Sequence, residues 1–208
     1  MINFASSALN IYYQKLVLNI YHRILEKQNK SITNILNYQG QSIDLSEGWY
    51  FFTLKELFQK FANIDLSKNL TAPEIITTAK SKGYNVDGVT TWEPLYTQIF
   101  INEIESKLPI DKPVVIFDYP TQMSTLCLLC PDSPGFSQRF EFYIGGMEIG
   151  NAYSESTDPK IIKENFEIDF LPTCAGIGLG VDRLAMLFAD TINIEDVIYF
   201  PTSKMLKK

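Results

Sequence analysis

The stretch "RFEFYIGGMEIGNAYSES", residues 139–156, spaces its acidic and amide side chains as a binding site needs them. Two alternating runs meet at Gly145-Gly146, a dipeptide suited to a tight hairpin turn. Counted back from that turn, Glu141 and Glu148 lie close across the pair and point to one face. Two carboxylates so placed repel each other unless a cation sits between them. Mg2+ with bound phosphate oxygens meets that need, because it commonly takes one or two carboxylates plus substrate phosphates. Two glutamates on a solvated hairpin face are the plainer alternative. Farther along, Asn151, Tyr153 and Glu155 alternate in period two and therefore share a face. An amide, a ring and a carboxylate in a row suit a cationic amino acid. Glu155 would take its ammonium, Tyr153 its alkyl stem and Asn151 its α-carboxyl end, although each alone is more often a surface residue.

A second chemical feature is "GIGLGVDRL", residues 176–184, with glycines at Gly176, Gly178 and Gly180. Glycine is costly unless something must approach the backbone or the backbone must bend. These glycines precede a helix start, where unpaired N–H groups and the macrodipole favour an anion. Arg183 in the first turn adds a planar fork for phosphate oxygens. The missing Cβ atoms of these glycines let a nucleotide lie flat against the strand. No Gly-Lys-Ser/Thr follows, so this is not a P-loop, and G-x-G-x-G departs from the dinucleotide fingerprint. A turn with no ligand is the plainer reading.

The elements that must carry these groups follow from periodicity and caps. Residues 6–28 read as a long amphipathic helix with a Ser N-cap. "ITNILNYQGQSIDL" reads as a hairpin about its turn. "TLKELFQKFANI" is a helix capped by Thr53, "TAPEIITTAKSKG" another ended by Gly83, and "TWEPLYTQIFINEIESKL" a third. "KPVVIFDYP" has the continuous apolar character of a buried strand. "DPKIIKENF" supplies one or two helical turns, "GVDRLAMLFAD" a helix, and "EDVIYFP" a short strand or extended segment. The expected architecture is α+β, an antiparallel sheet flanked by helices. It forms one domain over 1–208, mostly helical in 1–112, with the hairpin and glycine-rich part in 113–208.

Composition sets limits on function. Of the 208 residues, 46% are hydrophobic and 20% charged, the balance of a folded soluble chain. No apolar run approaches the roughly 20 residues that span a bilayer, and no basic region precedes the N-terminal apolar residues, so no membrane partner is expected and the cytoplasm is the default compartment. A net charge of −6 argues against coating nucleic acid, though not against a local tRNA contact. Three cysteines (Cys127, Cys130 and Cys174) and one histidine (His22) are too few for a disulfide framework or a zinc site, and buried apolar thiols are expected.

Taken in order, "RFEFYIGGMEIGNAYSESTDP" and "GIGLGVDRLAML" resemble the class II aminoacyl-tRNA synthetases, specifically the lysyl-type catalytic domain, whose third signature motif has the form G-x-G-x-G-x-D/E-R-L. "VVIFDYP" is similar to the stretch leading towards that family's lysine pocket. Within the group, "LPTCAGIGLGVDRL" looks closest to the elongation factor P lysine ligases, which carry Pro-x-Cys before the glycines, as Pro172-Thr173-Cys174 do here. The resemblance implies ATP-dependent activation of lysine or a lysine-like amino acid and its transfer to elongation factor P or tRNA. It implies Glu141 and Glu148 on the Mg2+ of ATP, Gly178 and Gly180 facing the nucleotide, and Arg183 on the γ-phosphate. Asn151, Tyr153 and Glu155 would line the amino-acid pocket. The sequence departs from that family's pattern, and the expected core is one without the family's first and second motifs or an anticodon-binding domain. The second motif's α-phosphate arginine, worth roughly 3 to 4 kcal/mol of transition-state stabilisation, then has no counterpart. The alternatives are a non-catalytic relative that binds amino acid, nucleotide or a partner, and a second chain that completes the fold.

Overall fold

The structure, a computed structural model, describes residues 4–46 and 48–205, without the side chains of 4–11, 13, 202 and 204. The Ser N-cap expected for the first helix lies outside the described side chains. Helix α1 (Phe4–Lys27) buries Val17, Tyr21 and Leu25, one residue per turn along a single stripe. The expected hairpin follows as β1 (Ile35–Tyr38) and β2 (Gln41–Asp44). Its turn residues Gln39 and Gly40 have φ of 49° and 76°, the two left-handed positions that a two-residue hairpin turn requires.

A five-stranded sheet carries the rest of the molecule, in the order β3-β4-β5-β6-β7. Its strands are β3 (Tyr50–Thr53), β4 (Val114–Pro120), β5 (Phe136–Ile144), β6 (Met147–Ser154) and β7 (Ala175–Leu179). The antiparallel expectation holds for three of the four pairings; β3 lies parallel to β4. Sequence pattern missed β3 because its four residues only pair with a strand about sixty positions away. A parallel pair needs a crossover, and three helices supply it. Helix α2 (Leu54–Leu57) continues as a π turn to Ala62, and α3 (Ala72–Ser81) follows. Helix α4 (Glu93–Ile99) runs on through Phe100–Ile104 and Glu105–Lys107. Capping boxes start two of them, Thr53 with Glu56 and Thr71 with Glu74. Gly83, at φ 84°, ends α3.

Helix α5 (Pro159–Phe166) is capped by Asp158, and α6 (Val181–Ala189) follows β7 directly. The extended segment expected at 195–201 does not form. Asn193 Oδ1 accepts the Glu195 N–H and Thr191 Oγ1 donates to Asp196 Oδ2, so local side chains turn the chain into a 3-10 turn at Ile194–Asp196. The thiols also differ from expectation. Cys127 is buried, but Cys130 is half-buried and donates to Asp118 Oδ1 at 3.3 Å, while Cys174 is exposed.

Two cores sandwich the sheet. On one face Val115, Phe140, Phe142, Ile149 and Ala152 pack against α1, the β1–β2 hairpin and α6. On the other, Val114, Ile116, Tyr119 and Tyr143 pack against α2, α3 and α4. Those three helices cover the β3–β5 half and leave the β6–β7 half of that face open.

Two bulges decide what the open half displays. In β4 the register slips between Phe117 and Tyr119, and Asp118 takes φ 59°. Asp tolerates this left-handed position better than most residues, and the extra residue returns Tyr119 to the side of Ile116. In β6, Phe142 pairs with Gly150 whereas Tyr143 pairs with Glu148, so Ile149 is the added residue. The second bulge has a steric condition, because a Cβ at Gly150 would run into the edge of the buried Phe142 ring. Gly150→Ala should therefore lower stability by about 1–3 kcal/mol, the usual cost of overpacking. Gly176→Ala, where nothing lies within 4 Å of the added carbon, should change it by much less. Urea unfolding midpoints of the two variants check this, and equal shifts would contradict it.

Candidate functional site

The bulge at Ile149 brings the two halves of the expected site onto one face. Strict alternation from Glu148 would turn Asn151 and Tyr153 to the opposite side. With one residue added, Glu148 stands opposite Tyr143, Asn151 opposite Glu141, and Tyr153 opposite Arg139. Glu141 and Glu148 thus share a face as the turn spacing predicts, but they are diagonal neighbours rather than a facing pair.

Glu141 is the best-bound side chain of this face. Its residue is 8% exposed. Oε1 accepts from Arg139 Nη2 at 2.7 Å and Asn151 Nδ2 at 3.2 Å. Oε2 accepts from the hydroxyls of Tyr119 at 2.7 Å and Tyr143 at 2.8 Å. Burial, and then the Glu141 charge, push both phenol pKa values up, so the two hydroxyls stay protonated donors. Arg139, whose side chain is 14% exposed, ties this cluster to the loop after β4. Its Nη1 donates to the Met123 carbonyl at 2.6 Å, its Nε to Asn151 Oδ1 at 3.1 Å, and its plane lies over the Tyr119 ring at 4.7 Å.

Beside this cluster a cavity of about 430 Å³ is lined by Arg139, Asn151, Tyr153, Gly178 and the loop residues Met123–Cys127. Glu155 follows Tyr153 along the same row. Its N–H donates to the Cys174 carbonyl at 2.9 Å, and Cys127 pairs with it from the other side. One of its carboxylate oxygens, Oε2, is buried without a hydrogen-bond partner. Burial raises its pKa above the ordinary glutamate value.

Of the remaining expected residues, Glu148 and Arg183 line a second cavity, of about 530 Å³, with Glu105, Gly146 and Asn193 also on its wall. Arg183, in the first turn of α6, donates through Nη1 to the Glu148 carbonyl at 2.9 Å and to Glu148 Oε2 at 3.1 Å. Burial, then the charges of Glu141 and Glu148, raise the pKa of Glu105. The glycines of "GIGLG" answer to space rather than to bending. Gly176, Gly178 and Gly180 all avoid positive φ. Around Gly178 only the Asn151 carbonyl, at 3.9 Å, approaches the site of a Cβ, and Gly180 N–H donates to the Ile149 carbonyl at 2.8 Å.

The donor sets fit a metal ion unequally. Among the described residues no group of three or more His, Cys, Asp or Glu side chains is placed to hold one. Glu148, half-buried and bound on one oxygen, fits Mg2+ that brings its own phosphate and water ligands. Glu141 does not fit in this arrangement, because both its oxygens are filled and its charge is matched by Arg139. His22 is remote from the site; its Nε2 lies 2.9 Å from Asn34 Oδ1. Arg139, Tyr119 and Tyr143 went unnoticed in the sequence. The signal for two of them was present in the Arg-x-Glu-x-Tyr period of β5.

Comparison with known proteins agrees with this architecture. The family model described as tRNA synthetases class II (D, K and N) matches residues 7–171 and 169–204. The lysine–tRNA ligase of Nostoc punctiforme is 34% identical over 194 residues, 81% of this chain and 34% of that protein. That of Moorella thermoacetica is 31% identical over 196 residues, 83% of this chain and 40% of the relative. That of Thermoanaerobacter pseudethanolicus is 32% identical over 220 residues, 93% of this chain and 43% of the relative. The chain thus spans less than half the length of each of these relatives. Among the described residues no helix is long and apolar enough to cross a membrane. With one family model running through nearly all of the sequence, from α1 to the helix that carries Arg183, the chain belongs to the class II tRNA synthetases of the D, K and N group.

Proposed function

We propose that the open half of the sheet binds lysine or a lysine-like amino acid and ATP, activates the amino acid as its adenylate, and passes it to an acceptor. The observation that carries this reading is the unpartnered, buried Oε2 of Glu155 at the end of the Asn151–Tyr153 row. A buried carboxylate oxygen without a donor is costly. A primary ammonium entering along the Tyr153 ring would supply the donor and the opposite charge together. The lysine–tRNA ligase relatives point to the same substrate.

In this reading the first cavity takes the amino acid and the second takes the phosphates. Gly178 leaves room for the nucleotide against β7, Gly180 opens α6 where an anion is favoured, and Arg183 meets the γ-phosphate. Glu148 would hold Mg2+, which when bound neutralises phosphate charge. Glu141 acts through its neighbours, keeping Asn151 and the two tyrosines in place. No side chain serves as nucleophile. The amino acid's carboxylate attacks the α-phosphorus, pyrophosphate leaves, and the protein contributes position and charge. The names of the relatives favour tRNA as acceptor. The resemblance of "LPTCAGIGLGVDRL" and the net charge of −6 favour elongation factor P, which needs no broad phosphate contact.

One observation supports a second reading. Arg183 and Glu148 satisfy each other, and Glu141 is filled, as befits a synthetase-like protein that binds an amino acid without activating it. The outer edge of β7 carries no further strand among the described residues, so a second chain that completes the fold would dock there.

Isothermal titration of the purified chain with lysine tests the pocket. Glu155→Gln should weaken lysine binding by about tenfold or more, the worth of a hydrogen bond to a charged group. The raised pKa of Glu155 gives a sign for pH. Its folded-state stability contribution is fully present below the ordinary glutamate value and lost as pH rises through the raised value, because the ionised form is the poorly solvated one. Lysine needs that ionised form, so its affinity should rise with pH over the same window in the wild type and stay flat in Glu155→Gln. Equal affinities in the two proteins would end the lysine reading.

A separate titration with ATP and Mg2+ addresses the second cavity. Arg183→Ala should weaken nucleotide binding by about tenfold, with lysine binding unchanged. Incubation with labelled lysine and ATP then separates the acceptors. Label on tRNA or on elongation factor P identifies the carrier, and label on neither, with lysine still bound, favours the non-catalytic protein.

A further inference from the structure

The sequence offered Asn151 as the residue for the α-carboxyl end of the ligand, yet a carboxamide has two faces. Its oxygen would welcome an amine and its NH2 a carboxylate, and a free asparagine shows either by turning about its last bond. Here it cannot turn. Oδ1 accepts from Arg139 Nε at 3.1 Å, while Nδ2 donates to Glu141 Oε1 at 3.2 Å. Reversal would set the amide oxygen against a carboxylate oxygen and the NH2 against a guanidinium, replacing two attractions by two repulsions. Glu141 cannot relax to accommodate it, because its other oxygen is held by Tyr119 and Tyr143. Arg139 cannot swing away either, since the Met123 carbonyl holds its Nη1 at 2.6 Å.

From this lock we propose that Arg139 is a positioning residue that fixes the polarity of Asn151 and thereby makes the cavity select a carboxylate. The second Nδ2 hydrogen is the amide hydrogen left for a ligand. An amine approaching Oδ1 meets the neighbouring guanidinium charge. The ligand's direction is therefore set: anionic end at Asn151, cationic end at Glu155. The inference rests on the amino-acid reading of this cavity and adds to it the residue responsible for orientation.

The test compares L-lysine with L-lysinamide, which keeps the side chain and replaces the carboxylate by a neutral amide. Both are titrated into the full chain as wild type, Arg139→Met and Arg139→Lys, with thermal unfolding by circular dichroism run on each. The wild type should prefer lysine by about tenfold or more. In Arg139→Met that preference should fall to within about threefold, with the affinity for lysinamide itself little changed. Arg139→Lys keeps a cation beside Glu141 but loses the fork that spans Asn151 and Glu141, so it should show an intermediate preference. Should the Met variant fail to fold, the Lys variant decides. A preference that stays at the wild-type value while both ligands weaken by one factor would show Arg139 to be merely structural and overturn the inference. If the wild type binds neither ligand, the amino-acid reading falls and this inference with it. That result is seen in the wild-type arm alone and cannot be confused with the first.

Discussion

A single buried carboxylate organises the open face of this sheet. Glu141 accepts four hydrogen bonds from four side chains on three strands: Tyr119 on β4, Arg139 and Tyr143 on β5, and Asn151 on β6. An ionised group withdrawn from water is tolerable only when its charge and its lone pairs are both met. Removing one partner of such a buried pair costs about 3–5 kcal/mol. Much of the local geometry follows from that requirement. Tyr119 reaches Glu141 because the bulge at Asp118 restores it to the correct side of β4. Asn151 reaches it because the bulge at Ile149 does the same for β6. The loop after β4 closes on the cavity because its Met123 carbonyl completes the coordination of Arg139.

The helices set the extent of the site. Leu57, Phe58, Ile75, Tyr96 and Ile104 build the core that buries Val114, Ile116 and Tyr143. Coverage stops at β5, and β6 and β7 then present side chains to open space on that face while the opposite face is sealed by α1 and α6. A sheet buried on one side and half-buried on the other has a floor rigid enough to hold polar groups in register. Gly176 and Gly178 keep the uncovered end of that floor low, which is what a flat ligand needs from a strand.

Much of this was readable from the residues. The hairpins at 32–45 and 139–156, the cap at Thr53, the strand ending at Pro120 and the helix after Gly180 were all readable from local chemistry, and they form. What escaped was non-local. β3 is recognisable only from β4, and the tail after Asn193 is bent by side-chain bonds that compete with a strand. The two bulges are subtler. Alternation counted from Gly145-Gly146 places Glu148 on one face and Asn151, Tyr153 and Glu155 on the other, so two readings that were each sound locally were mutually inconsistent. Only the packing of Phe142 on Gly150, with Ile149 turned to the same core, reconciles them. Arg139 was missed for a related reason. Its value lies in neighbours contributed by a different loop and strand.

Two glutamates on one face of this sheet have opposite electrostatic situations, and the contrast separates architecture from binding. Glu141 has every lone pair engaged and an arginine at 2.7 Å, so it gains little from any additional cation. Glu155, on the same row as Asn151, has an oxygen buried with no donor and a pKa raised by lost hydration. No described side chain or backbone group donates to that oxygen. A ligand that brings its own N–H and positive charge would relieve the cost. The deficit at Glu155 and the saturation at Glu141 thus separate the two roles proposed for this face: a neutralised platform that holds Asn151 still, and beside it a carboxylate whose unmet oxygen suits a cationic guest.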